Sequence, residues 1–145
     1  MQKMKKKSEL GFSLIELMIV VVIVGIIAVL AVPALQKGLR AAENANTFAT
    51  MRTIASTQVN YYSQNNRFGR LAEVNNLLSS SIGSTGALPN QLNRGKFVLA
   101  MSPSSPTDGE LKDGYTITAT RNVPSEGVTY VYQLTQTGEI QQILP

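Results

Sequence analysis

Residues 5–35 read KKKSELGFSLIELMIVVVIVGIIAVLAVPAL, and one acid in this string decides how the chain is to be understood. Glu16 stands in an otherwise uncharged stretch from Phe12 to Leu35. As a helix, that stretch rises about 36 Å, enough to cross a hydrocarbon core of about 30 Å. A carboxylate at such depth costs about 2.5–3.5 kcal/mol on insertion scales, so it needs a partner or a purpose. Ahead of the apolar run come Lys5, Lys6 and Lys7, then the junction Gly11-Phe12. A cut at that junction creates a positive α-amine at the tip of the helix, one turn from Glu16. An amine at the tip and an acid one turn further in suit a helix that pairs with copies of itself.

Length and composition frame the rest. The chain has 145 residues, which fits one small domain plus an anchor. It is 43% hydrophobic and 15% charged, but the apolar residues concentrate in the first quarter. The chain beyond Leu35 is rich in Ser, Thr, Asn and Gln and fills only a modest core, so the domain is expected to lean on the helix before it. The net charge of +4 comes mostly from Lys3, Lys5, Lys6 and Lys7 against Glu9. From Phe12 onward nine basic side chains face eight acidic ones, so no global basic field for nucleic acid is present. There is no Cys and no His. Disulfides, thiol nucleophiles, His-based acid–base chemistry and the commonest metal ligand are therefore excluded.

Three readings of the N-terminus compete. A secretory signal peptide would have a small-residue site at Val29-Leu30-Ala31. Its apolar core would be longer than the usual roughly 7–15 residues, and Glu16 would serve nothing in a discarded peptide. A plain single-pass anchor fits the length, with the lysines holding the N-terminus in the cytoplasm, but leaves Glu16 unexplained. The third reading rests on the string Lys7-Ser8-Glu9-Leu10-Gly11-Phe12-Ser13-Leu14-Ile15-Glu16-Leu17. It closely resembles the processing site of type IV pilins and type II secretion pseudopilins. That resemblance implies a leader, residues 1–11, removed by a membrane aspartyl peptidase that cuts between Gly11 and Phe12 and then N-methylates Phe12. It also implies that Glu16, the fifth residue of the mature chain, acts in assembly, and that Gly25 and Pro33 loosen the helix. The alternative for Glu16 is that it only snorkels to the interface near a helix end.

Beyond Pro33 the helical pattern continues to about Ser63. Leu35, Leu39, Ala42, Ala45 or Ala49, Ala55, Val59 and Tyr62 recur at steps of three or four. Phe48, Met51, Ile54 and Tyr61 widen this apolar face. A helix from Phe12 to Ser63 would be about 78 Å long, so its first half is expected to project and its second to pack on a sheet. The expected division is residues 12–35 as the transmembrane and assembly half, 36–63 as an amphipathic half and 64–145 as a head. Pro33 lacks an N–H and Gly25 weakens helix, so Gly25–Pro33 is a candidate for local unwinding or for a simple curve.

After Gln64-Asn65-Asn66 the composition changes. Leu71–Leu78 reads as one or two helical turns, and Ser79–Asn93 as an exposed loop. Strands are expected at Lys96–Met101, Tyr115–Arg121, Val128–Thr135 and Glu139–Leu144, with Val128, Tyr130, Tyr132 and Leu134 sharing one face. Ser102–Gly114 is expected to be a loop. The fold class is α+β: a long N-terminal helix on an antiparallel sheet of three or four strands, which is the pilin-type plan. Many pilins tie down the C-terminal loop with a disulfide. Lacking cysteine, this chain would hold its last strand by sheet pairing alone.

Two clusters invite chemistry. Asp108, Glu110 and Asp113 sit in DGELKDG, and pseudopilins often hold calcium in a late loop. The spacing is not that of an EF-hand, and a solvated turn explains the acids as well. Arg67, Phe68 and Arg70, with Tyr61, Tyr62, Arg94 and Lys96, would suit single-stranded nucleic acid if they formed one patch. No catalytic set or cofactor motif is visible. The resemblance therefore implies a non-enzymatic subunit of a helical homo-oligomeric filament. Its precursor would sit in the bacterial inner membrane with the head periplasmic, before joining an extracellular or periplasmic filament. Its partners would be a prepilin peptidase/methyltransferase, a platform protein and an assembly ATPase. The alternatives are a type II secretion pseudopilin and, from another class, a monomeric anchored adhesin or DNA-binding module.

Overall fold

A computed structural model describes residues 11–145, so the lysines and Glu9 of the expected leader lie outside the described residues. Helix α1 runs from Leu14 to Asn65 without a break at Gly25 or Pro33. Proline removes one backbone hydrogen bond, and the helix carries that defect within a continuous run. The chain divides into two compact units between Arg40 and Ala41.

In the first unit the helix presents exposed apolar side chains from Leu14 to Leu35, interrupted by Glu16, and again at Leu39. No protein atom lies near a Cβ added at Gly25 or Gly38.

The second unit packs the C-terminal part of α1 on one face of an antiparallel sheet. Helix α2 covers Leu71–Leu77, and a one-turn helix α3 covers Glu110–Asp113. The strands are β1 (Ser84–Thr85), β2 (Gln91–Arg94), β3 (Phe97–Ser102), β4 (Thr116–Val123), β5 (Val128–Thr135) and β6 (Ile140–Leu144). They lie in sequence order, each antiparallel to the next. The fold is thus the expected α+β plan, with two further strands in the stretch read as loop. Strand β2 has a single buried apolar residue, Leu92, and is recruited by a hairpin to β3 through Gly95 at φ +57°.

Alternation sends Phe97, Leu99 and Met101, then Ile117 and Ala119, then Tyr132 and Leu134 into the core. Leu71, Val74 and Leu111 close it from the small helices. The helix face that meets this core holds Met51 and Ile54 of the expected apolar face, with Phe48 and Ala55 packed against the core, but it also takes in polar residues that the apolar periodicity left out. The buried residues of α1 are Thr47, Thr50, Met51, Ile54 and Gln58, while Leu35, Leu39 and Val59 are exposed. Polar groups are tolerated there because they are satisfied. Thr47 and Thr50 hydroxyls donate to the carbonyls of Glu43 and Asn46. Gln58 donates to the Gly69 carbonyl and accepts from its N–H, both at 2.7 Å. A Cβ at Gly69 would lie 2.9 Å from Val74, so glycine permits this close approach.

The inward row of β4 ends on Arg121, 3% exposed, whose Nη1 lies 2.6 Å from Glu43 Oε2 on α1. Its guanidinium also lies over the Phe97 ring. Losing either partner would leave the other charge uncompensated at the helix–sheet interface.

Candidate functional site: the entry to the apolar helix

Gly11, Phe12 and Ser13 precede the helix and are exposed, Phe12 at 85%. The backbone around the Gly11–Phe12 bond is therefore non-helical, and a Cβ added at Gly11 would meet nothing within 4 Å. The chain's own packing does not require glycine at this position.

Helix α1 begins one residue beyond Ser13, and the Leu17 N–H reaches the Ser13 carbonyl at 3.2 Å. The Ser13 backbone N–H donates to Glu16 Oε2 at 2.9 Å. Glu16 thus supplies the backward half of a capping box, and its charge stands at the positive end of the helix dipole. This corrects the picture of a lone acid awaiting a partner: within one chain, Glu16 already binds its own helix start. The signal was present in the sequence as Ser13-x-x-Glu16, and the reading of a membrane-buried charge passed over it.

Downstream, α1 holds one segment long and apolar enough to cross a membrane, and none of it is covered by protein among the described residues. Such a face is stable only against lipid or other apolar helices.

The remaining candidates are spent on structure. Asp108 Oδ1 accepts from Arg70 Nη2 at 2.7 Å and lies 3.6 Å from Arg67 Nε. Glu110 Oε2 accepts from the N–H and hydroxyl of Thr107, each at 2.8 Å, and its pKa is lowered by those bonds. Asp113 ends α3. Among the described residues no group of three or more acids is arranged to hold a metal.

The basic and aromatic residues do not form one patch. Arg67 makes two hydrogen bonds to Glu73, at 2.9 and 2.8 Å, and its guanidinium lies over Tyr61. Glu73 also accepts from the Arg70 N–H at 2.7 Å, repeating the arrangement at Ser13 and Glu16. The Arg67 hydrogen bonds, helped by the Arg70 N–H, pull the Glu73 pKa down to about 2. Phe68 sits between the rings of Tyr62 and Tyr115, and burial pushes the Tyr115 hydroxyl up to about 12. Arg94 binds the carbonyls of Ser81 and Ile82 and reaches Asn46, while Lys96 lies 3.7 Å from Glu43.

Comparison with known proteins gives one match. Residues 6–32 fit the family model described as the prokaryotic N-terminal methylation motif. No curated protein and no solved structure matches the chain. The motif covers the helix entry and most of the apolar run. The chain thus combines a match to the methylation motif at its N-terminus with an apolar helix long enough to span a membrane and a helix-on-sheet head, an arrangement similar to the pilin-type α+β plan.

Proposed function

We propose that this chain is the precursor of a structural subunit of a type IV pilus or pilus-like filament. One observation carries the reading: the methylation motif coincides with an exposed, non-helical Gly11–Phe12 bond directly ahead of an uncovered apolar helix. A prepilin peptidase/methyltransferase would cut that bond on the cytoplasmic face and methylate the Phe12 amine. Methylation leaves a secondary amine, which stays protonated at neutral pH. In the precursor Glu16 caps its own helix, which helps an acid persist beside lipid. After cleavage the Phe12 amine of an incoming subunit competes for that carboxylate on a neighbour. Low dielectric strengthens the pairing.

Polymerisation then moves the apolar helix from lipid into a bundle of equivalent helices, forming a helical homo-oligomer with the heads outside. Gly25 and Pro33 would supply the local give for that transfer. A platform protein and an assembly ATPase would extract the subunit from the inner membrane. Commitment of Asp108 to Arg70 and of Glu110 to Thr107 favours the pilin over a calcium-holding pseudopilin. It also favours a solvated role for the acids over a metal site.

The test is the N-terminal residue of protein purified from cells, read by mass spectrometry. N-methyl-Phe12 is expected. Val32 would mean a secretory signal and Met1 a simple anchor, and either would overturn the proposal. Glu16→Ala is expected to abolish filaments while the subunit stays in the membrane. Unchanged filaments would remove Glu16 from the mechanism.

A further inference from the structure

A cavity of about 620 Å³ opens in the head between α2, the β1–β2 hairpin and the loop after β3. The filament reading makes no use of it. Its size falls in the range of small-molecule sites, roughly 300–1,000 Å³.

Its walls are fixed before any ligand arrives. Asn90 Nδ2 donates to the Ser104 carbonyl and Arg70 Nη2 to the Pro106 carbonyl, both at 3.0 Å. Gln91 Oε1 accepts from the Leu88 N–H, and the buried Asn75 bridges the Gly83 carbonyl and the Ile82 N–H. Ser80 and Asn90, both lining it, hold left-handed backbone at φ 61° and 54°. Side chains rarely adopt that conformation unless the surroundings impose it.

The chemistry left over is neutral. Asn76, Ser80, Thr85 and Ser105 bring one carboxamide and three hydroxyls whose side chains no protein group engages among the described residues. Leu88, Pro89, Leu92 and Pro106 supply apolar C–H surface between them. No carboxylate lines the cavity, and its one cation is compensated: Arg70 lies 2.7 Å from Asp108 and 3.7 Å from Glu73. A charged ligand therefore finds no unspent counter-charge. A peptide adding a strand cannot pair with β2, which is bonded to β1 on one side and β3 on the other, and the edge strand β1 is only two residues long, Ser84–Thr85. Donors and acceptors mixed with C–H surface suit a ring that carries hydroxyls at its rim and hydrogens on its faces.

We propose that this cleft binds a neutral saccharide of one or two rings. Asn76, Ser80, Thr85 and Ser105 exchange hydrogen bonds with its hydroxyls, and the leucine and proline surface meets its ring faces. The site lies wholly within the head and does not rest on the filament reading.

The experiment is saturation-transfer NMR on the full chain in deuterated detergent micelles. The probes are maltose, lactose and N,N′-diacetylchitobiose at millimolar concentration, with digalacturonate and the peptide Ala-Ser-Ala-Ser as comparators. Transfer to ring protons of at least one neutral disaccharide is expected. It should fall at least fivefold in the double variant Asn76→Ala/Thr85→Ala and in Ser105→Trp, which fills the cleft. Thr120→Ala, on the opposite face of the sheet, should leave it unchanged, and the dispersion of amide signals reports that each variant is folded. Silence from all three disaccharides overturns the proposal. So does a signal that survives both cleft variants, or transfer to digalacturonate or the peptide alone.

Discussion

From Leu14 to Leu35 every large apolar side chain of α1 is exposed, whereas from Thr47 to Gln58 the same helix buries two threonines and a glutamine beside Met51 and Ile54. Hydrophobicity would rank these two stretches in the reverse order. The difference lies in what each stretch is offered. Thr47 and Thr50 bond back to carbonyls of their own helix and Gly69 of the head pairs with Gln58, so their burial leaves no polar atom stranded. Among the described residues nothing covers the first stretch, so its stable surroundings must come from lipid or from other apolar surfaces. One continuous helix is thus adapted to two media, and its sequence changes rule within a few turns.

The contrast breaks most visibly through the core. Ile54 is fully buried, so Ile54→Ala is expected to cost about 2–5 kcal/mol in urea unfolding of the head, monitored in micelles. Val22→Ala in the same assay should stay within about 0.5 kcal/mol, because Val22 meets no core. Equal losses would mean that the two stretches do not differ as described. The reciprocal change is Val22→Lys. It should raise the free energy of membrane insertion by about 2.5–3.5 kcal/mol, read as the inserted fraction in a microsomal assay, with head stability unchanged. Next comes Gln58→Leu, which keeps bulk and removes polarity. It leaves the N–H and C=O of Gly69 without partners and should cost about 1–3 kcal/mol. A gain in stability would show that the buried face answers to hydrophobicity after all.

How much of this the sequence disclosed depended on whether the signal was local. The apolar run, the turns at Leu71–Leu77 and the alternation of β5 are local, and the structure has them with small shifts at their ends. Strand β2 escaped because Gln91-Leu92-Asn93-Arg94 carries one apolar residue, and only pairing with β3 makes it a strand. The polar members of the α1 packing face escaped for a related reason, whereas Met51 and Ile54 were read correctly. Thr47 and Gln58 count as polar until their bonds to Glu43 and Gly69 are known. Arg121 could not be paired with Glu43 without the sheet that brings β4 beneath the helix. At the candidate site, the expectations for Gly11, Phe12 and Glu16 came from the resemblance of residues 7–17, while the bond from Ser13 to Glu16 was legible in the Ser-x-x-Glu spacing and overlooked.

Ser13 with Glu16 and Arg70 with Glu73 use the same spacing at two helix starts, and here the comparison can be sharpened by acid. Glu73 also holds Arg67, and its pKa of about 2 lies below its ordinary value of 4.5. A carboxyl whose pKa is depressed on folding adds stability above its unfolded value and loses it as pH falls toward the folded one. Head stability should therefore decline between about pH 4.5 and 2, and Glu73→Gln should flatten that part of the profile while lowering the plateau above it. The effect is expected to be smaller than those of Ile54→Ala, Val22→Lys and Gln58→Leu, because the Glu73 side chain is 31% exposed and solvent screens its ion pair. Unfolding curves for parent and variant across the acid range decide the matter. If both decline with the same slope, the bonds to Arg67 and Arg70 contribute no acid sensitivity. The fastening of α2 would then have to be sought in its buried Leu71 and Val74 and in the bonds of Asn75 to Gly83 and Ile82.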